Sequence, residues 1–461
     1  MQVPDWETPL GEAYRHALAH LTGLPGRPVG VPVDPAAMRA ALGGPVPETP
    51  TPAADVITAL ATAAGPGLMA TGSGRFFGFV IGGVTPAALA ADWLTATWDQ
   101  NAGLYAVSPA AAAVEEIAGG WLLDILGLPG DASVGFVTGA QMANLTALAA
   151  ARHEMLRRVG WDVEKRGLAA APTVRVLAGA DRHDTIDRAL RFLGLGTDAI
   201  VAVEADSQGR MRVDALRRAL DEQSGPVIVC AQAGNVNSGA VDPIGAIVDL
   251  AHGVGAWVHV DGAFGLWAAA SPDLKPLLAG VERADSWATD AHKWLNVPYD
   301  SGLVFCAHPA AHRAAMGVRA AYLVHADGAG RDPLDHNPEF SRRARGFAVY
   351  AALRALGRSG VAEIVDRCCA LARRFADRLG AADGVTVLND VVLNQVLVRF
   401  DGPDERTRSV IDALRADGTC FVSGTTWRGR AAMRISVTNW TTDADDVDAS
   451  VKAMLTLAGP R

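Results

Sequence analysis

From about Ser133 onward, short runs of consecutive apolar residues alternate with longer stretches whose apolar positions recur at helical spacing. The runs in GFVTG, TVRVLAG, AIVAVEAD, PVIVCAQAG, WVHVDGAF, ADSWATD and SGLVFCAH predict strands. Between the first of them lie predicted helices at Asn144 to Arg158, Thr185 to Leu193, Val213 to Gln223 and Ile244 to Gly253. Strands that are apolar at successive positions need cover on both faces, which helical crossovers supply. The expected fold is therefore α/β, a mainly parallel sheet with helices on both faces. Beyond Arg342 a long helical stretch leads to VTVLND, QVLVRF and AMRISVT, with helices near Thr407 to Ala416 and Ala444 to Leu457. That pattern predicts a second, smaller α/β domain. The N-terminal segment is rich in Pro, Gly and Ala, with one helical patch from Glu12 to Leu21. The expected division is an arm over 1–75, a large domain over 76–340 and a small C-terminal domain over 341–461.

A chain of 461 residues, half of them hydrophobic, can bury an extensive core. The net charge of -9 and the lack of any Lys/Arg-rich block argue against nucleic acid or an anionic membrane surface as a partner. A small-molecule substrate is the expectation. Five cysteines, at 230, 306, 368, 369 and 420, form no CxxC pair, which suits reduced thiols and a cytoplasmic location. No apolar run approaches a membrane span, and MQVPDWETPL lacks the features of a secretory signal.

Lys293 changes the question from fold to chemistry. In ADSWATDAHKWLNVPYDSG, Ala284 to Gly302, it stands among Trp287, Trp294, Leu295, Val297 and Tyr299, and lysine is almost never buried without a partner. Such an amine either snorkels to water or is kept as a nucleophile of lowered pKa, suited to condensing with a carbonyl cofactor. Three further features fall at predicted strand ends, where open α/β sheets gather ligands. GFVTGAQMANLTALAAAR is a strand, a turn and a helix start, whose free N–H groups and dipole favour a phosphate. WVHVDGAFG ends on Asp261 followed by small residues, which suits a carboxylate facing a flat ligand or a turn cap. His183, in ADRHDTIDRAL, precedes a helix and serves as a cap or as a ring stacked on an aromatic ligand. Pyridoxal phosphate calls for this set: a lysine, an acid against the ring nitrogen, anion donors and a stacking group. No GxGxxG, GxxxxGK[ST] or HExxH supports a dinucleotide, P-loop or zinc reading.

The succession TGAQMAN, ADRHDTIDRA, AQAGNVNSGAVDPI, WVHVDGAFG and DSWATDAHKWLNVPYDSG is similar to the group II pyridoxal-phosphate decarboxylases, the family of aromatic-L-amino-acid, histidine and glutamate decarboxylases. The likeness runs from about Arg75 to the last helix. It implies the fold-type I, aspartate aminotransferase-like architecture and a homodimer whose active sites draw on both subunits. It also implies that Lys293 forms the imine with the cofactor, that Asp261 partners the pyridine nitrogen, and that His183 stacks on the ring with Ala263 on the other face. By the same resemblance Ala140, Gln141 and His292 sit at the phosphate, and Asn235 is a further cofactor contact. Phe79 and Val80 in FFGFVIGG, with Leu104 and Tyr105 in QNAGLYAVSP, where the family builds its pocket partly across the dimer interface, would form an apolar substrate pocket.

The implied activity is decarboxylation of an aromatic or other apolar L-amino acid to the amine. An aldehyde synthase, an aminotransferase or a Cα–Cβ lyase would use the same cofactor, and a catalytically silent cofactor-binding protein is the reading from another class. Gln141 and Met142 depart from the family's usual Ser and Glu. The segment after Tyr322, LVHADGAGRDPLDHNPEFSRRARGF, contains no tyrosine, although a loop tyrosine is the family's usual proton donor. His325 and His336 carry the rings there that ionise near neutral pH.

Overall fold

The computed structural model describes residues 5–30, 32–318 and 331–459. In chain order its strands are β1 (Phe76–Phe77), β2 (Ser133–Val137), β3 (Arg175–Gly179), β4 (Ile200–Val203), β5 (Val227–Gln232) and β6 (Trp257–Asp261). They continue with β7 (Ser286–Asp290), β8 (Gly302–Cys306), β9 (Val385–Val387), β10 (Gln395–Phe400), β11 (Phe421–Trp427) and β12 (Arg430–Ser436). Among the described residues the larger sheet has seven strands in the order β2-β8-β7-β6-β5-β3-β4. The pairings from β7 through β4 are parallel. β8 runs antiparallel to both its neighbours, β2 and β7. β5, β6, β7 and β8 are buried at every position, which is why their sequences show no polar alternation.

The helices fall where the periodicity places them. The helix expected to run through Asn144 to Arg158 begins at Ala140. Its cap is not local: Asp290 Oδ1, at the end of β7, accepts the Ala140 N–H at 2.6 Å. Asn144 therefore lies one turn inside the helix, fully buried against the sheet.

The smaller sheet has the order β1-β11-β12-β10-β9. β1 pairs in parallel with β11, and Phe76 stacks on Phe421 at 4.8 Å between centroids. Phe76 and Phe77, the first residues of the 76–340 span, thus complete the C-terminal sheet and tie the start of that span to the smaller lobe. The two lobes are joined by a helix over Gly346–Gly380, broken at Gly357, where φ is 62°. At its entry Arg342 makes a buried bidentate pair with Glu115, at 2.6 and 2.7 Å, and donates to the Phe136 carbonyl of β2. The arm contributes helices Glu7–Gly23, Pro35–Leu42 and Ala53–Ala64, none of which has a buried residue. Among the described residues no helix is long and apolar enough to cross a membrane, and all five cysteines are free and buried.

Candidate active site

The carboxyl ends of β2, β3, β5, β6 and β7 open onto a cavity of about 710 Å3, bounded on the other side by the β11–β12 hairpin. Gln141, His183, Asp261, Ala263, His292 and Lys293 all line it, so six of the residues singled out in the sequence converge although they span 153 positions from 141 to 293. Ala140 lines it as well.

Lys293 does not snorkel. Its ammonium lies 2.9 Å from Asp290 Oδ2, and Asp290 is buried. The same carboxylate holds the start of the Ala140–Arg158 helix and stands 3.4 Å from His292 Nε2. The His292 ring accepts the Ser301 N–H at Nδ1, which leaves the proton of the neutral ring on Nε2, and stacks on Tyr299 at 4.2 Å. Burial lowers its pKa, more than Asp290 raises it. This end of the cavity offers a helix N-terminus and an imidazole N–H, the donors an anion needs.

Asp261 closes the opposite end. Its Oδ1 accepts the Ala263 N–H at 3.2 Å, and its Oδ2 accepts from Asn144 Nδ2 at 3.2 Å and Thr185 Oγ1 at 3.5 Å. His183 caps the helix Asp184–Phe192 by accepting the Thr185 N–H at Nδ1, 3.2 Å away. Capping and stacking are thus compatible in His183: the bond fixes the neutral ring with its proton on Nε2 and orients the ring, which stays exposed to the cavity.

Phe79 and Val80 line the cavity mouth, both in left-handed backbone with φ of 56° and 58°. For a β-branched valine that conformation is strained, and Ser423 Oγ accepts the Phe79 N–H to hold it. Gly82, two residues on, passes so close to Lys293 that a Cβ would lie 2.0 Å from the Lys293 carbonyl oxygen, which leaves no room for a side chain.

Four residues sit elsewhere. Asn235 uses its amide on its own turn, accepting from Asn237 N and Ser238 N and donating to the Asp181 carbonyl, so Gly234, Val236 and Asn237 face the cavity in its place. Leu104 is buried away from the cavity, and Tyr105, with its backbone N–H on Asp332, points its half-exposed ring outward. His336 lies in the turn Pro333–His336 under β2, its ring edge-on to His312 at 5.2 Å. It does not line the cavity, and burial beside Arg331 drives its pKa far down, so within the chain it is no general acid at the site. His325 and Tyr322 lie outside the described residues.

The buried histidines set a pH limit. Burial lowers His312 to about 3 and His259 to about 4. The unfolded chain protonates these rings below its ordinary pKa of about 6.5 while the folded chain keeps them neutral, so the unfolded state binds more protons and stability falls as pH drops. The denaturation midpoint should decline from pH 7 to pH 5, with a limiting slope of about 1.4 kcal/mol per pH unit for each ring. A flat profile over that range would show that the rings are solvated.

Sequence reasoning missed three residues. Asp290 looked like the end of a strand, Asn144 like an ordinary helical position. Arg434, on β12, lines the cavity with a largely buried guanidinium lowered to about 10 by desolvation. Its Nη1 reaches Asn237 Oδ1 at 3.4 Å, while its Nε has no hydrogen-bond partner. The cavity is therefore not purely apolar.

The residues present fit pyridoxal phosphate. An anion pole, an amine, a ring to stack and a buried carboxylate are spaced around a cavity of ordinary ligand size, and together fold and site define a fold-type I pyridoxal-phosphate enzyme. The model of the pyridoxal-dependent decarboxylase conserved domain matches residues 35–401. An aromatic-L-amino-acid decarboxylase of Bacillus atrophaeus is 26% identical over 443 residues, 93% of this chain and 90% of the relative. An L-2,4-diaminobutyrate decarboxylase of Rhizobium meliloti (strain 1021) is 31% identical over 365 residues, 76% of this chain and 71% of that one. A crystal structure of Oryza sativa TDC with PLP and tryptamine superposes with a TM-score of 0.92 at 25% identity, covering 99% and 98% of the two chains. The chain belongs to the pyridoxal-dependent decarboxylase family and is a pyridoxal-phosphate-dependent amino acid carboxy-lyase.

Proposed function

We propose that the enzyme decarboxylates an aromatic or other apolar L-amino acid to the corresponding amine. The observation that carries this reading is the strained Phe79–Val80 turn, which brings the exposed aromatic ring of Phe79, backed by the buried Val80, to the cavity that holds Lys293. When bound, the cofactor supplies an electron sink for the bond broken at Cα. Lys293 provides the amine that anchors it, and Asp290 keeps that amine in place. His292 and the helix N-terminus bind its phosphate. Asp261 holds a proton on its ring nitrogen, and His183 lies on the ring face. Among the described residues at the cavity, the Lys293 ammonium is the group suited to return a proton to Cα.

A panel of L-amino acids, with CO2, amine, aldehyde and ammonia measured separately, tests the reading. Equal CO2 and amine from aromatic or branched substrates is expected. Aldehyde with ammonia would indicate the aldehyde synthase. Arg434 favours a second reading, in which the substrate carries a side-chain carboxylate. If acidic amino acids are turned over, Arg434→Met should cut that activity about 10- to 100-fold, the scale of hydrogen bonds to a charged group, and spare aromatic turnover. Preferred glutamate turnover in the unmodified enzyme would overturn the apolar reading.

We also infer a homodimer. Trp6, Leu10, Tyr14 and Leu18 on the arm, and Tyr105 and Val107 on the body, are large side chains left exposed, a pattern that marks association surfaces. Sedimentation should give twice the chain mass, and a monomer at micromolar concentration would refute it.

A further inference from the structure

β6 reads Trp257-Val258-His259-Val260-Asp261, and strand alternation puts Trp257, His259 and Asp261 on one face. That face lies beneath the helix Ala140–Arg158. Trp257 and His259 are fully buried, as are Asn144 from the helix and Ser286 from β7, whose Cα pairs with that of His259. Trp257 Nε1 donates to Ser286 Oγ at 3.0 Å, and Ser286 Oγ lies 3.0 Å from His259 Nδ1. His259 Nε2 lies 2.9 Å from Asn144 Oδ1, and Asn144 Nδ2 donates to Asp261 Oδ2 at 3.2 Å.

Both ends of this chain dictate its direction. An indole N–H only donates, so Ser286 accepts there and has its own hydroxyl proton to give to His259 Nδ1. An ionised Asp261 only accepts, so Asn144 must turn its NH2 toward Asp261 and its carbonyl toward His259. His259 then accepts at Nδ1 and donates at Nε2, which is the pattern of a neutral imidazole. Burial keeps it neutral, lowering its pKa to about 4 against the pull of the Asp261 carboxylate.

We infer that Trp257, Ser286, His259 and Asn144 form a one-way chain of donors that holds Asp261 ionised and aimed at the cofactor's ring nitrogen, which makes His259 and Asn144 positioning residues for the reaction. The inference rests on the assignment of Asp261 proposed above. Its consequence is electrostatic. Asn144, Thr185 and Ala263 already donate to this carboxylate, and such hydrogen bonds stabilise its charged form beside a protonated ring nitrogen. Without the Asn144 donor that stabilisation is lost, and the proton between the two groups would shift toward the carboxylate.

The test uses holoenzyme reconstituted with cofactor carrying 15N at the ring nitrogen, in the unmodified protein and in Asn144→Leu, His259→Phe, Ser286→Ala and Asp261→Asn. The unmodified enzyme should show the chemical shift of a protonated pyridine nitrogen. Asn144→Leu and His259→Phe should move it toward the neutral value, the nearer link more, and lower kcat about tenfold with little change in KM. Ser286→Ala, a change that removes only a hydroxyl, should move it less and in the same direction. A shift lost in Asp261→Asn but native in Asn144→Leu, His259→Phe and Ser286→Ala would overturn the chain and leave the Asp261 assignment standing. Should the two larger substitutions fail to fold, a native shift in Ser286→Ala overturns the chain by itself. A shift in the unmodified enzyme identical to that of Asp261→Asn would instead overturn the Asp261 assignment, and the chain with it.

Discussion

A Lys293→Ala enzyme should hold no covalent cofactor and turn over on the order of 10^4-fold more slowly, the scale of loss when one member of a cooperating catalytic unit is removed. The chain has four lysines, and Lys165, Lys275 and Lys452 are exposed on the surface. Lys293 instead lines the cavity, its ammonium against a carboxylate that is itself bonded to the helix start. The amine is thus held at a fixed point beside the anion pole, where it would meet the aldehyde of a cofactor whose phosphate this pole would hold. Borohydride reduction of the unmodified enzyme, followed by peptide mass analysis, should place the adduct on residue 293. An adduct on another lysine in Lys293→Ala would sink the assignment.

How much of this arrangement was legible depended on where each residue's partners lie. The central strands of the large sheet could be read because full burial on both faces leaves an unbroken apolar run, as in VIVCAQ of β5. The two strands without such a signal were β1, only two residues long, and β11, whose FVSGTTW is mixed in polarity because its second half lies at the cavity and the surface. The cap of the Ala140 helix was hidden for a different reason. Nothing next to it in the chain caps it, since the cap is Asp290, 150 residues away.

The same logic separates the site residues. Lys293, Asp261 and His183 lie at strand ends or within a few residues of them, and their chemistry is unusual for those positions. Asn144 and Arg434 look ordinary in sequence, because a polar residue within a helix or strand is most often solvent-facing, and only the packing of the helix on β6 and of the small lobe on the large one turns them inward. Asn235 illustrates the limit within a turn. A shift of one or two positions decides whether an amide faces the ligand or closes the loop, and here it closes the loop. The WVHVD alternation did contain a readable signal, a histidine on the same strand face as the acid, but its partners Asn144 and Ser286 belong to two other elements.

Asp261→Asn should keep the fold and the cavity and lower turnover about 10^2- to 10^3-fold, or roughly 3–4 kcal/mol of transition-state stabilisation. The carboxylate is embedded in donors: Asn144 and Thr185 on one oxygen, the Ala263 N–H on the other. An asparagine of the same shape has one oxygen to offer these donors. Its NH2 must then face either the Ala263 N–H or the donors of Asn144 and Thr185, and a neutral amide would not hold a proton on the cofactor's ring nitrogen. Either way a bound ring would lose the positive charge that accepts electrons from Cα, while the phosphate pole and Lys293 stay intact. Cofactor binding should therefore survive, and kcat should fall far more than affinity. The measurement is cofactor affinity and kcat side by side for Asp261→Asn and the unmodified enzyme. Near-normal kcat in the variant would show that Asp261 does no more than cap the turn at Ala263.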